Sequence, residues 1–190
     1  LSFDKQGRLV ANDVKLTLIP YYAWCHRGSG KMRVWLSQDL SSTTPAQPAT
    51  LASESKVSAS TRTPALSSVN DRLLPKDAND RSIPYYHWWP KKAATEWIAY
   101  QFPDEATVQA STVYWFDDGP WGGCRVPKQW RILYKDSQGS WQPVDAPDGY
   151  PTAKGEACTV NFTPVKTTAL RLEVTLPDDN SAGLYEWSVR

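Results

Sequence analysis

The sequence has few of the residues on which metal and catalytic chemistry depends. Its 190 residues include two histidines, His26 and His87, three cysteines and one methionine. Neither histidine lies in a His-x-x-x-His pattern, and Cys25, Cys124 and Cys158 show no Cys-x-x-Cys spacing. The sequence therefore does not indicate a zinc site.

Common catalytic motifs are also missing. There is no Gly-x-Ser-x-Gly nucleophile elbow and no Gly-x-x-x-x-Gly-Lys phosphate loop. The adjacent carboxylates at 117–118 and 178–179 stand beside glycine or asparagine. In that setting aspartate more often accepts hydrogen bonds from turn amides than performs acid–base catalysis. We expect no catalysis within this chain.

Charge and hydropathy exclude two further classes. Lysine and arginine number 21 against 20 acidic residues, and no basic patch indicates a nucleic-acid partner. No apolar run approaches the ~20 residues that cross a membrane, so we expect no membrane insertion. The chain opens on LSFDKQG, which has neither part of a signal peptide and no initiator methionine. We expect a fragment of a longer protein whose signal peptide lies elsewhere.

Aromatic residues and proline, in contrast, are abundant. The sequence has 10 tryptophans, 9 tyrosines and 15 prolines, and the stretch IPYYHWWP at 83–90 places four rings and a histidine between two prolines. Tryptophan-rich β domains use such rings either to fill the core or to stack on the flat faces of sugars. The composition predicts a β protein and leaves both uses open.

The pattern along the chain predicts three regions. Alternating segments at 13–20 and 31–36 predict a β-hairpin or two neighbouring strands within residues 1–37. Residues 38–54 are rich in Ser, Thr, Pro and Ala, a composition typical of a linker. Residues 55–190 then form a second domain.

Short alternating segments separated by turn residues recur through this second domain. Within 169–176, for example, Leu170, Leu172, Val174 and Leu176 share one face, which we expect to be buried. The fold class predicted is all-β, an antiparallel jelly-roll sandwich, with one weak helix candidate at 67–74. The predicted strands are 56–62, 95–102, 107–116, 129–135, 140–144, 159–162, 169–176 and 183–189.

The second domain resembles the discoidin, or coagulation factor type C, family of galactose-binding-like sandwiches. The likeness lies in VNDRLLP at 69–75, WWPKKAATEWIAYQF at 88–102, VYWFDD at 113–118, RVPKQWRILYKD at 125–136 and the closing PVKTTALRLEV and SAGLYEW. That family includes many carbohydrate-binding modules.

Residues 1–36 carry a second likeness, in which LTLIPYYAWCHRGSGKMRVWL at 16–36 resembles the final β-sandwich segment of the β-L-arabinofuranosidase family of bacterial glycoside hydrolases. This resemblance implies that residues 1–37 are the terminal strands of an upstream β-sandwich domain. The resemblance implies a cysteine nucleophile and a zinc-bound thiolate cluster upstream, and Cys25 matches none of those positions. It also implies a periplasmic or extracellular, monomeric protein with a catalytic domain in the same polypeptide.

The discoidin resemblance implies a sugar site in the loops at one end of the sandwich, at 79–94, 117–127 and 145–157. Trp121 is the best candidate platform, because Pro120 and two glycines flank it in a loop whose backbone can present a ring but cannot easily bury one. The alternative is that this ring folds back over the sandwich edge or covers an interface with the upstream catalytic domain. Trp89 and Trp97 match tryptophans of the family's core, and Trp88 fits either environment. The full set of candidate carbohydrate-binding residues is Trp121, Tyr85, Tyr86, His87, Trp88, Arg125, Asp117 and Asp118.

The same resemblance implies a structural calcium ion. Asn70, Asp71, Ser82 and Glu186 match its ligands, and their oxygens suit calcium. Arg72 stands where the family has glycine, a departure that costs energy because a left-handed backbone is unfavourable for arginine.

The sequence therefore predicts a non-catalytic carbohydrate-binding module of a secreted glycoside hydrolase that acts on plant-type, arabinose-containing glycans. The alternative is a structural sandwich that buttresses the upstream catalytic domain. A protein- or phospholipid-binding module is a third option, to which Lys91 and Lys92 beside Trp88 give slight support.

Overall fold

The computed structural model describes residues 2–3, 9–10, 48–61 and 63–190. The chain divides into two compact units, Leu1–Pro48 and Ala49–Arg190. In the first unit β1 (Ser2–Phe3) pairs with β2 (Leu9–Val10) in antiparallel register. The strands predicted at 13–20 and 31–36, and the linker up to residue 47, lie outside the described residues.

The second unit is built almost entirely from strands. A helical turn α1 (Leu51–Glu54) and a 3₁₀ helix (Pro64–Asn70) precede most of them. None of the described helices is long and apolar enough to span a membrane. The strands are β3 (Lys56–Ala59), β4 (Tyr86–His87), β5 (Thr95–Phe116), β6 (Gln129–Lys135), β7 (Trp141–Pro143), β8 (Ala157–Thr175) and β9 (Gly183–Val189).

These strands form an antiparallel sandwich of two layers that share β5 and β8. The first half of β5 pairs with β3 and with the second half of β8, which also pairs with β6, and β6 pairs with β7. We call this the β6 layer. The second half of β5 pairs with β9 and with the first half of β8, and β9 pairs with β4. This is the β9 layer. The predicted sandwich is confirmed.

The sequence predicted separate short strands in these regions, whereas β5 and β8 are each one continuous strand. Each strand turns the corner between the layers, and the register shifts between Gln101 and Ala106 mark that corner on β5. Pro103 lies inside this interval, where the loss of its amide removes no ladder hydrogen bond. The backbone therefore stays extended through both layers.

The core lies between the layers and follows the alternation read from the sequence. Leu170, Leu172, Val174 and Leu176 are fully buried, as predicted. Tyr100 stacks on Trp187 with ring centroids 4.0 Å apart. The other fully buried large rings of the described residues are Tyr86, Trp88, Trp115, Phe116 and Tyr185.

Two local elements differ from expectation. Residues 51–54, predicted as the end of the linker, form α1 because the Thr50 side chain accepts a hydrogen bond from the Ser53 amide and Ala52 packs into the core. The helix candidate at 67–74 is instead the 3₁₀ helix Pro64–Asn70, which begins with a proline that needs no amide partner.

Candidate carbohydrate-binding loops

Three strand ends meet at one end of the sandwich. β4 ends at His87, β5 ends at Phe116 and β9 begins at Gly183, and both His87 and Phe116 lie opposite Gly183. A Cβ atom on Gly183 would approach the Tyr86 carbonyl oxygen to 2.5 Å, so glycine is required for this close approach. The loops after β4 and β5 and the loop before β9 therefore adjoin.

Asp117 anchors the loop at 117–127, which we call the Trp121 loop. Its Oδ1 accepts from the Gly119 amide at 2.9 Å and from Lys154 Nζ at 2.7 Å, and its Oδ2 accepts from the Val126 amide at 3.1 Å. Burial alone would raise the pKa of Asp117, but the Lys154 contact and the two amides outweigh it and hold that pKa below its usual value. Asp117, a predicted sugar ligand, is buried and acts in the loop itself.

Asp118 and Arg125 close the same loop. Asp118 Oδ1 accepts from the Cys124 amide at 2.8 Å, and Arg125 Nη1 donates to the carbonyls of Gly122 at 2.9 Å and Cys124 at 2.7 Å. Both side chains keep a minor exposed fraction. They can meet a ligand at their outer edges, but most of their hydrogen bonding sets the shape of the loop.

Arg81 is a polar residue of this end that the sequence did not identify. Its Nη2 pairs with Asp118 Oδ2 at 3.1 Å, and its guanidinium carbon lies 4.9 Å from the centre of the Phe116 ring. Nearly half of its side chain is exposed. Its position inside the predicted loop 79–94 was a usable signal, since arginine offers a fork of donors to hydroxyl groups.

Trp121 projects from the loop as predicted and is 95% exposed. Trp89, which the sequence assigned to the core, is 49% exposed. A Cβ atom on Gly123 would come within 2.2 Å of the Trp89 ring, so that ring lies directly against the Gly123 backbone. The exposed large apolar side chains of the described residues are Leu74, Trp89 and Trp121.

Tyr85, Tyr86 and Trp88 were predicted as candidate ligand contacts, and the structure buries all three. Tyr85 stacks on Phe116 with centroids 3.9 Å apart, and the Tyr86 hydroxyl donates to the Thr61 carbonyl at 2.6 Å. Trp88 meets Tyr86 edge to face. These rings pack beneath the loops and are inaccessible to a sugar.

His87 is half buried on the rim of this end. Burial lowers the pKa of His87, the Asp118 carboxylate opposes that shift, and the Arg81 guanidinium adds to it. The imidazole is therefore neutral at pH 7, when it can donate at one nitrogen and accept at the other.

The four residues matched to calcium are only partly brought together. Glu186 Oε2 accepts from the amide of Arg72, the residue after Asp71, so the two carboxylates adjoin. Burial raises the pKa of Asp71 to about 7 and that of Glu186 to about 8, and Asp71 contributes to the second shift. Ser82 instead donates to Asp80 at 2.5 Å.

Asn70 also has a structural partner, because its Nδ2 donates to the Ala52 carbonyl at 2.7 Å. Arg72 has a φ of 68°, the left-handed conformation that favours the glycine it replaces. Within the described ranges, no group of three or more His, Cys, Asp or Glu side chains could hold a metal ion. Asp71 and Glu186 fit a cation, whereas the full predicted set is not assembled.

Comparison with known proteins agrees with this architecture. Residues 3–37 match the sequence model of the glycoside hydrolase family 127 C-terminal domain. A structure of the Streptococcus pneumoniae β-galactosidase BgaA aligns at a TM-score of 0.58 and 20% identity, covering 70% of this chain and 89% of the other.

Two modules of Clostridium perfringens align similarly. CpGH89CBM32-5, solved with GalNAc-β-1,3-galactose, gives a TM-score of 0.56 at 14% identity and covers 73% of this chain and 96% of its own. The family 32 module of NanJ, solved with galactose, gives 0.55 at 17% identity, with 73% and 95% covered. At these identities the likeness establishes the fold. The chain thus combines a segment similar to a glycoside hydrolase C-terminal domain with a sandwich that has the fold of carbohydrate-binding modules.

Proposed function

We propose that this chain is a non-catalytic carbohydrate-binding module of a secreted glycoside hydrolase, and that the Trp121 loop holds the sugar. The exposed ring of Trp121 carries the proposal, because a ring that is 95% exposed contributes almost nothing to the packing of the sandwich. The glycans are of plant type and contain arabinose, consistent with the likeness of residues 3–37 to a family 127 segment. The module acts as a monomer outside the cytoplasm, attached to an upstream catalytic domain.

Chemistry around the ring supports this assignment. A sugar presents C–H groups on one face and hydroxyls on its rim, which call for an aromatic plane and a few polar groups. Trp121 offers the plane, and Trp89 offers a second exposed ring against Gly123. Arg81, Asp118 and neutral His87 can donate to or accept from hydroxyls at the same end. Because Asp117 and Arg125 fix the loop backbone, little ordering entropy is lost on binding.

The test is a titration of the 190-residue chain with neutral arabinans, arabinogalactans, galactosides and simple sugars, followed by tryptophan fluorescence and calorimetry. We expect saturable binding that Trp121→Ala weakens at least tenfold, a loss of about 1.4 kcal/mol. Trp121→Phe, which keeps a smaller ring, retains part of the affinity. Leu74→Ala removes another exposed apolar side chain and serves as the matched control.

If no neutral glycan binds at tens of millimolar, the sugar role of Trp121 is wrong. An exposed tryptophan is also typical of a binding hot spot between proteins. In that case the loop buttresses the upstream domain, which is the alternative function of this chain.

We also propose a structural calcium ion at Asp71 and Glu186. The 3₁₀ helix and β9 are held together where the Tyr100 hydroxyl lies 2.9 Å from the Val69 carbonyl and 2.7 Å from the Trp187 carbonyl. This places the buried Glu186 carboxylate beside the partly buried Asp71 carboxylate, and a bound cation would neutralise their repulsion. Calcium prefers six to eight oxygens, so carbonyl groups or water would complete its shell.

A further inference from the structure

The outer face of the β6 layer carries an unusual group of side chains. Arg171 on β8 lies between two half-buried indole rings, Trp97 on β5 and Trp141 on β7. Its guanidinium carbon is 4.6 Å from the centre of the Trp97 ring and 4.3 Å from that of Trp141. Contact on both sides restricts the guanidinium plane, so its orientation is set before any ligand arrives.

No carboxylate among the described residues forms an ion pair with Arg171, although Glu173 interacts with it electrostatically. The Arg171 Nε is buried and has no hydrogen-bond partner among the described residues. Glu173, the acidic neighbour on β8, is engaged by Arg131, whose Nε lies 2.7 Å from Glu173 Oε1. Burial lowers the pKa of Arg171 and Glu173 opposes that shift, which marks a cation that has lost water without gaining a full counter-charge.

Positive charge dominates the whole face. Residues that pair directly across neighbouring strands lie on the same face of a sheet, and so do residues two positions apart on one strand. Applied to β3, β5, β8 and β6, this rule identifies the residues that share a face with Arg171. Among the charged residues so placed, Glu173 is the acidic one in the described part of the chain. The basic ones are Lys56, Arg131, Lys135 and Arg171.

A groove of about 370 Å³ adjoins this group. Thr95, Gln129 and Thr175 contribute hydroxyl and amide groups to its lining, together with the Arg131–Glu173 pair. Arg171 is two residues from Glu173 on β8, roughly 7 Å along the strand. Sugar hydroxyls suit the polar groove, and a carboxylate on the same chain would reach the guanidinium.

We propose that the outer face of the β6 layer is a second binding surface, specific for a polysaccharide that carries carboxylates, with Arg171 as the partner of one carboxylate. The guanidinium fork matches a carboxylate geometrically, and the surrounding lysines and Arg131 attract a polyanion. The commitment to a glycan, rather than to another polyanion, rests on the proposed function. The surface itself is separate from the Trp121 loop.

The test compares polygalacturonate with its fully methyl-esterified form, which has the same backbone without charge. Calorimetry on the 190-residue chain should show binding of polygalacturonate that weakens at least tenfold in Arg171→Gln and about as much on esterification. Arg171→Lys keeps the charge but loses the fork, so its affinity falls in between. Lys166→Gln removes one positive charge at an exposed ion pair with Glu105 and should change little.

Equal binding of both polymers, or unchanged binding in Arg171→Gln, would overturn the proposal. Polyglutamate binding as tightly through Arg171 would overturn the assignment to a glycan. If Arg171→Gln does not fold, NMR spectra of the wild-type chain test the proposal through the indole N–H resonances of Trp97 and Trp141. The variants Trp97→Phe and Trp141→Phe assign these two resonances. Galacturonate oligomers must shift these resonances.

Trp121→Ala separates the two sites. It should weaken the binding of neutral glycans at least tenfold and leave that of polygalacturonate intact. Failure of the neutral glycans alone would count against the Trp121 loop, and failure of polygalacturonate alone against the Arg171 surface.

Discussion

At the scale of single residues, environment rather than residue type decides which rings can meet a ligand. Tyr85 is buried against Phe116, whereas Trp121 is almost fully exposed. The aromatic rings of IPYYHWWP therefore divide between core and surface, with Tyr86 and Trp88 inside and Trp89 outside. Tyr86 lies on β4 and Trp88 follows two residues later on the same side of the chain, whereas Trp89 lies in the turn after the strand.

The calcium proposal is tested at this scale. Calcium should raise the melting temperature of the wild-type chain at pH 7.5 relative to EDTA, because a ligand that binds the folded state stabilises it by about 2.7 kcal/mol at one hundred times its Kd. Asp71→Asn and Glu186→Gln should each abolish the response. Both should also melt higher than wild type in EDTA at this pH, since burial raises both pKa values and each substitution removes a carboxyl group whose ionised form the folded state disfavours.

The proposal fails if calcium leaves the wild-type melting temperature unchanged, or if both variants respond as the wild type does. Magnesium at the same concentration is the control for non-specific ionic effects, because it demands a smaller octahedral site.

At the scale of elements, the Trp121 loop has its shape because one buried carboxylate ties its two ends together. Asp117 bonds the amides of Gly119 and Val126 and reaches Lys154 from the loop at 145–157. Two of the three loops expected to form the site are thus joined through a residue that cannot itself touch a ligand.

This anchor predicts a pH dependence. Because the folded-state pKa of Asp117 lies below its unfolded value, its contribution to stability is complete above that value, near pH 4, and is lost as the pH falls further. Asp117→Asn should cost about 1–3 kcal/mol of unfolding free energy at pH 7, as for a buried hydrogen-bonded group that loses its partner. The deficit should shrink below about pH 4.

Urea denaturation at a series of pH values measures this difference. Asp178→Asn is the matched control, since Asp178 is exposed and pairs with Lys128 at the surface. A deficit that stays constant down to pH 2 would mean that the charge of Asp117 plays no part in holding the loop.

At the scale of the whole molecule, residues 49–190 contain the hydrophobic core that the described residues form. The buried cluster runs from Ala52 to Val189 and includes side chains from both layers. The second unit begins at Ala49 and includes α1, whereas composition alone had placed the start of this domain at residue 55.

Truncation tests this boundary. Residues 49–190 should fold cooperatively and bind the same glycans as the whole chain. Residues 55–190 should be less stable by about 1–3 kcal/mol, because the Asn70 amide loses the Ala52 carbonyl and a core position is emptied. Thermal unfolding followed by tryptophan fluorescence compares the two. Equal stability would show that α1 contributes nothing, and an unfolded 49–190 would show that the first unit is needed.

The sequence by itself determined the fold class, most strand positions and the exposure of Trp121. These depend on local signals in the sequence. One is the alternation that buries Leu170 and Leu172, and the other is the proline and glycines around Trp121, which leave its ring exposed. β6 and β9 have the predicted bounds, because turn residues flank β6 and precede β9.

Tertiary structure decided which polar groups hold the loops in shape and which aromatic rings are buried in the core. Asp117 became an anchor because Lys154, 37 positions along the chain, reaches it. Tyr85 and Trp88 became core because Phe116 and Tyr86 lie against them. Arg171 acquired its place between Trp97 and Trp141 through strand pairing over tens of residues. Such contacts depend on register between distant strands, which no local pattern in the sequence encodes.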